Sequence, residues 1–79
     1  MKEILILGPG CARCEKLYDD VKSVVEENNI DCEIFKVTDL GAIAGFGIMQ
    51  TPGLVVNGEI KSAGKLLSKD QIKNFLSGD

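Results

Sequence analysis

The chain has 79 residues, enough for one domain close to the lower size limit of a stable core, so residues 1–79 are read as a single domain. Apolar residues make up 44% of it, which argues against disorder, and a net charge of −3 without a basic cluster argues against a nucleic-acid partner. No stretch suits a membrane span or a signal-peptide core, so the expected compartment is the cytoplasm.

From Glu3 to Leu7 the chain predicts a strand, and Ile4-Leu5-Ile6-Leu7 makes it apolar on both faces. Gly8-Pro9-Gly10 then stops it. A helix is predicted over Ala12 to Asn28, because Cys14, Leu17, Tyr18, Val21, Val24 and Val25 recur at three- and four-residue steps. Asn28-Asn29 supplies its stop. Cys11 and Cys14 therefore stand one turn apart at a helix start, a spacing that closes a disulfide with little backbone movement. Unpaired N–H groups and the helix dipole favour a thiolate at Cys11, and Arg13 adds a cation between the two sulfurs. Cys14 continues the apolar face and is expected to be the more buried partner. Cys11 is thus the expected nucleophile toward a disulfide, and Cys14 the thiol that resolves the mixed disulfide.

The second strand is predicted from Ile30 to Val37, with Cys32 and Ile34 on one face and Glu33, Phe35 and Val37 on the other. Its alternation suits a peripheral position, and the strand-helix-strand order implies a parallel crossover. Cys32 reads as a small buried hydrophobe, with a third redox thiol as the other reading. Asp39 to Gly45 predicts a short helix capped by Thr38 or Asp39, weakened by its glycines. No charge interrupts Leu40 to Met49, so one face belongs to the core and the rest is a candidate docking surface.

After Thr51-Pro52, the run Leu54-Val55-Val56 predicts a third strand. Asn57-Gly58 predicts a hairpin into a fourth, Glu59 to Ala63. Ser68-Lys69-Asp70-Gln71 is a capping box for a last helix, with Ile72, Phe75 and Leu76 as its buried face and Gly78 as its stop.

The order β-α-β-α-β-β-α, with Cys-x-x-Cys after the first strand and Thr-Pro before the third, resembles the thioredoxin fold. That fold is an α/β architecture with a four-stranded mixed sheet flanked by three helices. Gly8-x-Gly10-Cys11-Ala12-x-Cys14 and Thr51-Pro52-Gly53-Leu54-Val55-Val56-Asn57-Gly58 resemble more closely the small thioredoxin-like proteins called redox-active disulfide protein 2. The resemblance implies a protein dithiol–disulfide oxidoreductase with no cofactor beyond the Cys11–Cys14 disulfide. It implies a cis Pro52 packed against that disulfide, and substrate contacts from Thr51, Pro52, Gly10, Ala12 and Arg13. Protein disulfides are the implied substrates, and a flavin-dependent thioredoxin reductase the implied electron donor. Ala12-Arg13 between the cysteines differs from both the thioredoxin and the glutaredoxin patterns, although the length and Ser62-Ala63-Gly64 are glutaredoxin-like.

Two other classes compete. A Cys-x-x-Cys module for copper or zinc has similar length, but such domains end in a strand, whereas Ser68 to Ser77 reads as a helix. Zinc normally takes four ligands, and this chain has no histidine and only Cys32 to add. A non-catalytic thioredoxin-like adaptor, docking through Leu40–Met49, is the other alternative.

Overall fold

Ile4, Leu5, Ile6 and Leu7 give a strand with no polar side, and the chain places them where both sides are covered. The computed structural model describes residues 2–10, 12–65 and 67–77. Its elements are β1 (Lys2–Leu7), α1 (Ala12–Glu27), β2 (Cys32–Val37), α2 (Leu40–Gly45), β3 (Gly53–Val56), β4 (Glu59–Ala63) and α3 (Lys69–Ser77). The strands form one mixed sheet in the order β2-β1-β3-β4. β1 pairs parallel with β2 and antiparallel with β3, and β4 runs antiparallel to β3.

Alternation along the inner strands builds two cores. Ile4, Ile6, Leu54 and Val56 face Leu17, Val21 and Val24 of α1 and Ile72 and Leu76 of α3. Leu7 and Val55 face the other way and meet Ile43 of α2, with Leu5, Val37, Phe46 and Ile48 half-buried around them. α2 is thus held by one fully buried side chain, as its glycine-weakened sequence implies. β2 is an edge strand, and its alternation holds: Cys32 and Ile34 pack on the larger core, whereas Phe35 stays 43% exposed.

The boundaries that move do so by a single residue, except the start of β2, which moves by two. β2 starts at Cys32 rather than Ile30, because the end of α1 claims the intervening residues. Asn29 takes a left-handed φ of 52°, and Ile30 N–H still donates to Val25 O at 3.1 Å. β3 starts at Gly53, which pairs with both Leu7 and Ala63. The caps form as expected. Asp39 accepts from Ala42 N–H at 2.8 Å, and Ser68 and Gln71 bond each other's backbone N–H reciprocally. The expected stop at Gly78 lies outside the described residues.

The hairpin turn carries positive φ at Asn57 (51°) and Gly58 (81°), as a type I′ turn requires. Asn57 Oδ1 also accepts from Glu3 N–H at 2.9 Å, so the turn is tied to the start of β1. At the opposite end of the sheet, Leu7 stands beside Gly53 and Gly53 beside Ala63. Whatever follows Leu7 and Ala63 therefore meets whatever precedes Gly53. Gly8, Thr51-Pro52 and Gly64 share that end.

Candidate dithiol site

The turn between β1 and α1 opens the site. Gly8 N–H donates to Val37 O at 2.9 Å, carrying the parallel pairing one residue past β1. Pro9 and Gly10 are exposed, and Gly10 has φ +97°, a left-handed conformation that glycine adopts without a Cβ clash. Ala12 and Arg13 are exposed in the first turn of α1, and Cys14 is buried at 4% exposure. Cys11 lies outside the described residues.

Cys14 sits directly against Gly8. A Cβ added to Gly8 would stand 2.9 Å from Cys14 Cβ, closer still to Cys14 Sγ, and 3.9 Å from Thr51 Cβ. Gly8 is therefore the common neighbour of Cys14 and Thr51. The Thr51–Pro52 peptide bond is cis, with Pro52 buried and Thr51 half-buried. Gly64 joins the third segment to the other two. Its N–H donates to Pro52 O at 2.8 Å, and its carbonyl accepts from Arg13 Nη2 at 3.1 Å. A Cβ on Gly64 would also lie 2.6 Å from Gln50 Cβ. The Arg13 guanidinium is therefore directed to the loop after β4. Its partner there is a backbone carbonyl that only the folded sheet brings within reach.

A second cation serves the start of α1. Lys36 Nζ donates to both carboxylate oxygens of Glu15 at 3.1 and 3.0 Å, and lies 4.3 Å from the centroid of the Tyr18 ring. The hydrogen bond to Glu15, reinforced by nearby negative charge, holds the Lys36 ammonium above the ordinary lysine range. Glu15 is the acid in the first turn of α1, and an unopposed carboxylate there would disfavour a neighbouring thiolate. Lys36 neutralises it. Sequence reasoning missed Gly8, Gly64 and Lys36 as parts of the site. Gly8 stood inside the motif that carries the resemblance and read as a turn residue, with no neighbour assigned to it, and the partners of Gly64 and Lys36 come from distant segments.

Cys32 is placed elsewhere. It pairs with Lys2 at the start of β1, whereas Cys14 borders Gly8 beyond its end. The rise of a strand separates those positions by about 20 Å, too far for a disulfide or a shared metal ion. Burial, reinforced by Asp31, pushes the Cys32 thiol pKa up, which suits a packing role on the larger core.

A family model described as a thioredoxin domain matches residues 2–77. The chain is 40% identical over 77 residues to a protein named thioredoxin from Methanothermobacter thermautotrophicus, covering 98% of this chain and all of that one. It is 42% identical over 82 residues to another so named from Methanocaldococcus jannaschii, covering 99% of this chain and 94% of that one. With relatives matched almost end to end on a mixed sheet of this order, the chain belongs to the thioredoxin family as a small thioredoxin-like protein.

Proposed function

We propose that this protein is a dithiol–disulfide oxidoreductase acting on protein disulfides, with Cys11 as nucleophile and Cys14 as resolving thiol. The observation that carries the reading is the seat of Cys14, buried at the start of α1 against Gly8 with Thr51-Pro52 alongside. A buried thiol in the first turn of α1, after an exposed Pro9-Gly10 turn, is shielded from solution reagents, as suits a thiol that acts only on a mixed disulfide formed beside it.

The reaction runs in two exchanges. The Cys11 thiolate attacks one sulfur of the substrate disulfide, and the other leaves as a thiolate that takes a proton from water. Cys14 then loses its proton to water and attacks Cys11. The Cys11–Cys14 bond forms, the bond to the substrate breaks, and two electrons have passed to the substrate. Thr51, Pro52, Gly10, Ala12 and Arg13 rim the position where the substrate segment lies. Leu40 at the start of α2, 66% exposed, and Met49 shortly before Thr51-Pro52, 98% exposed, offer apolar contacts to a docking partner. A flavin-dependent reductase restores the dithiol. The metal-module alternative is disfavoured by the place of Cys32, which cannot join Cys14 around one ion.

The test is a redox titration in defined dithiol buffers, with free thiols alkylated and the intact mass read. Loss of two alkylation sites in one two-electron step, mapping to Cys11 and Cys14, is the expected result. A metal that stays bound and protects both thiols, or no disulfide across the whole range, overturns the reading.

A further inference from the structure

We propose that Gly8 is a positioning residue for the resolving thiol, its missing side chain forming the socket that fixes where the Cys14 sulfur stands. The chemistry of this inference rests on the oxidoreductase reading above, but the contact itself does not. Glycine at this position has no backbone reason: the positive-φ glycines are Gly10, Gly47, Gly58 and Gly64, and Gly8 is not among them. Its requirement is steric. A Cβ there would come within 2.9 Å of Cys14 Cβ and still closer to Sγ. A χ1 rotation can move the sulfur away but leaves Cys14 Cβ in place, so the conflict is resolved only by backbone movement.

Neither side has room to yield. Gly8 is buried and its N–H is bonded to Val37 O, which anchors the turn to the end of β2. Cys14 is carried by a helix whose next turns, Leu17 and Val21, are locked in the larger core. An alanine at position 8 therefore pushes the first turn of α1, and the Cys14 sulfur with it, away from β1. The second exchange suffers first, because it needs Cys14 Sγ in line with the mixed disulfide at Cys11, and small misplacements of a reacting atom cost large factors in rate. The bond that forms is Cys11–Cys14, the bond that breaks joins Cys11 to the substrate sulfur, and the departing thiolate is protonated by water.

The experiment compares Gly8→Ala with the natural protein, using a small protein disulfide as substrate and quenching with acid. The expected result is accumulation of the mixed disulfide, with resolution slowed about tenfold and the first, Cys11-dependent step within about twofold of normal. The Cys11–Cys14 disulfide is also expected to become about tenfold less favourable, a rise of roughly 30 mV in midpoint potential. A folded Gly8→Ala protein with unchanged resolution and potential overturns the proposal. A second arm reads the contact without any turnover. Gly8→Ala is introduced into a Cys14→Gly background, which removes both Cys14 Cβ and the sulfur, and its unfolding midpoint in urea is compared with the same substitution in the natural background. Relief of the destabilisation when Cys14 Cβ and sulfur are both absent supports the socket, and an equal cost in both backgrounds overturns it. If the natural protein fails to reduce the substrate, the oxidoreductase reading falls, and this arm still decides the steric claim.

Discussion

A thiolate near a helix start is favoured by the donors and dipole of the first turn and opposed by any carboxylate beside it. Here the opposing carboxylate, Glu15, is occupied by Lys36 from β2. Lys36→Met removes the cation and frees the acid, and both changes disfavour the thiolate. Alkylation of the dithiol by iodoacetamide at neutral pH should slow on the order of two- to threefold, and the difference should shrink in high salt. An unchanged pH–rate profile would show that the pair does not reach the thiols. Cys32 tests the opposite sign. Its thiol pKa is raised in the fold, so above the ordinary thiol range the unfolded chain ionises while the folded chain stays protonated. Stability from this group is complete below that range and is lost as pH rises through the folded value. Cys32→Val should flatten the alkaline fall in urea midpoint above about pH 8.5, the ordinary thiol pKa. A slope identical to that of the natural protein would assign the fall to other groups.

Among the elements, α3 depends most on its cap. Nine residues are too few to hold a helix in isolation, so its first turn relies on the reciprocal bonds between Ser68 and Gln71, and its end on Lys2 Nζ donating to Leu76 O. Ser68→Ala should cost about 1 kcal/mol, read as a lower urea midpoint at constant slope. No change in midpoint would mean that the bonds to solvent are equivalent. The cap, the hairpin dipeptide Asn57-Gly58 and the aliphatic run of β1 were legible because each acts over a few neighbouring residues. The start of β2 was not. Whether Ile30 and Asp31 belong to a strand depends on how α1 closes, and that closure is settled by the left-handed Asn29 and the bond from Ile30 N–H to Val25 O.

For the whole molecule, the two faces of the sheet are unequal. α1 and α3 cover one with a continuous buried cluster, whereas α2 covers the other through Ile43 against Leu7 and Val55. α2 should therefore open locally at a lower free energy than β1 or α1, and its amides should exchange with solvent faster. Ile43→Ala should cost about 2–5 kcal/mol and abolish protection in α2 before it affects β1. Equal protection of α2 and β1 in the natural protein would contradict this hierarchy. The same segment carries exposed Leu40 and leads through Met49 to Thr51-Pro52, so the least firmly held surface adjoins the candidate site.

By itself the sequence determined the elements, their order and the cysteine pair, because periodicity, caps and turns are local and are written in consecutive residues. It also pointed to Thr51-Pro52 as a partner of the pair, though only through resemblance. The tertiary structure alone decided that Gly8 seats Cys14, that Gly64 joins Arg13 to Pro52, and that Cys32 stands at the far end of the sheet. Those facts follow from register. Leu7 beside Gly53, and Gly53 beside Ala63, bring three distant turns to one end of the sheet, and no periodicity within any one segment encodes which residue of another will face it.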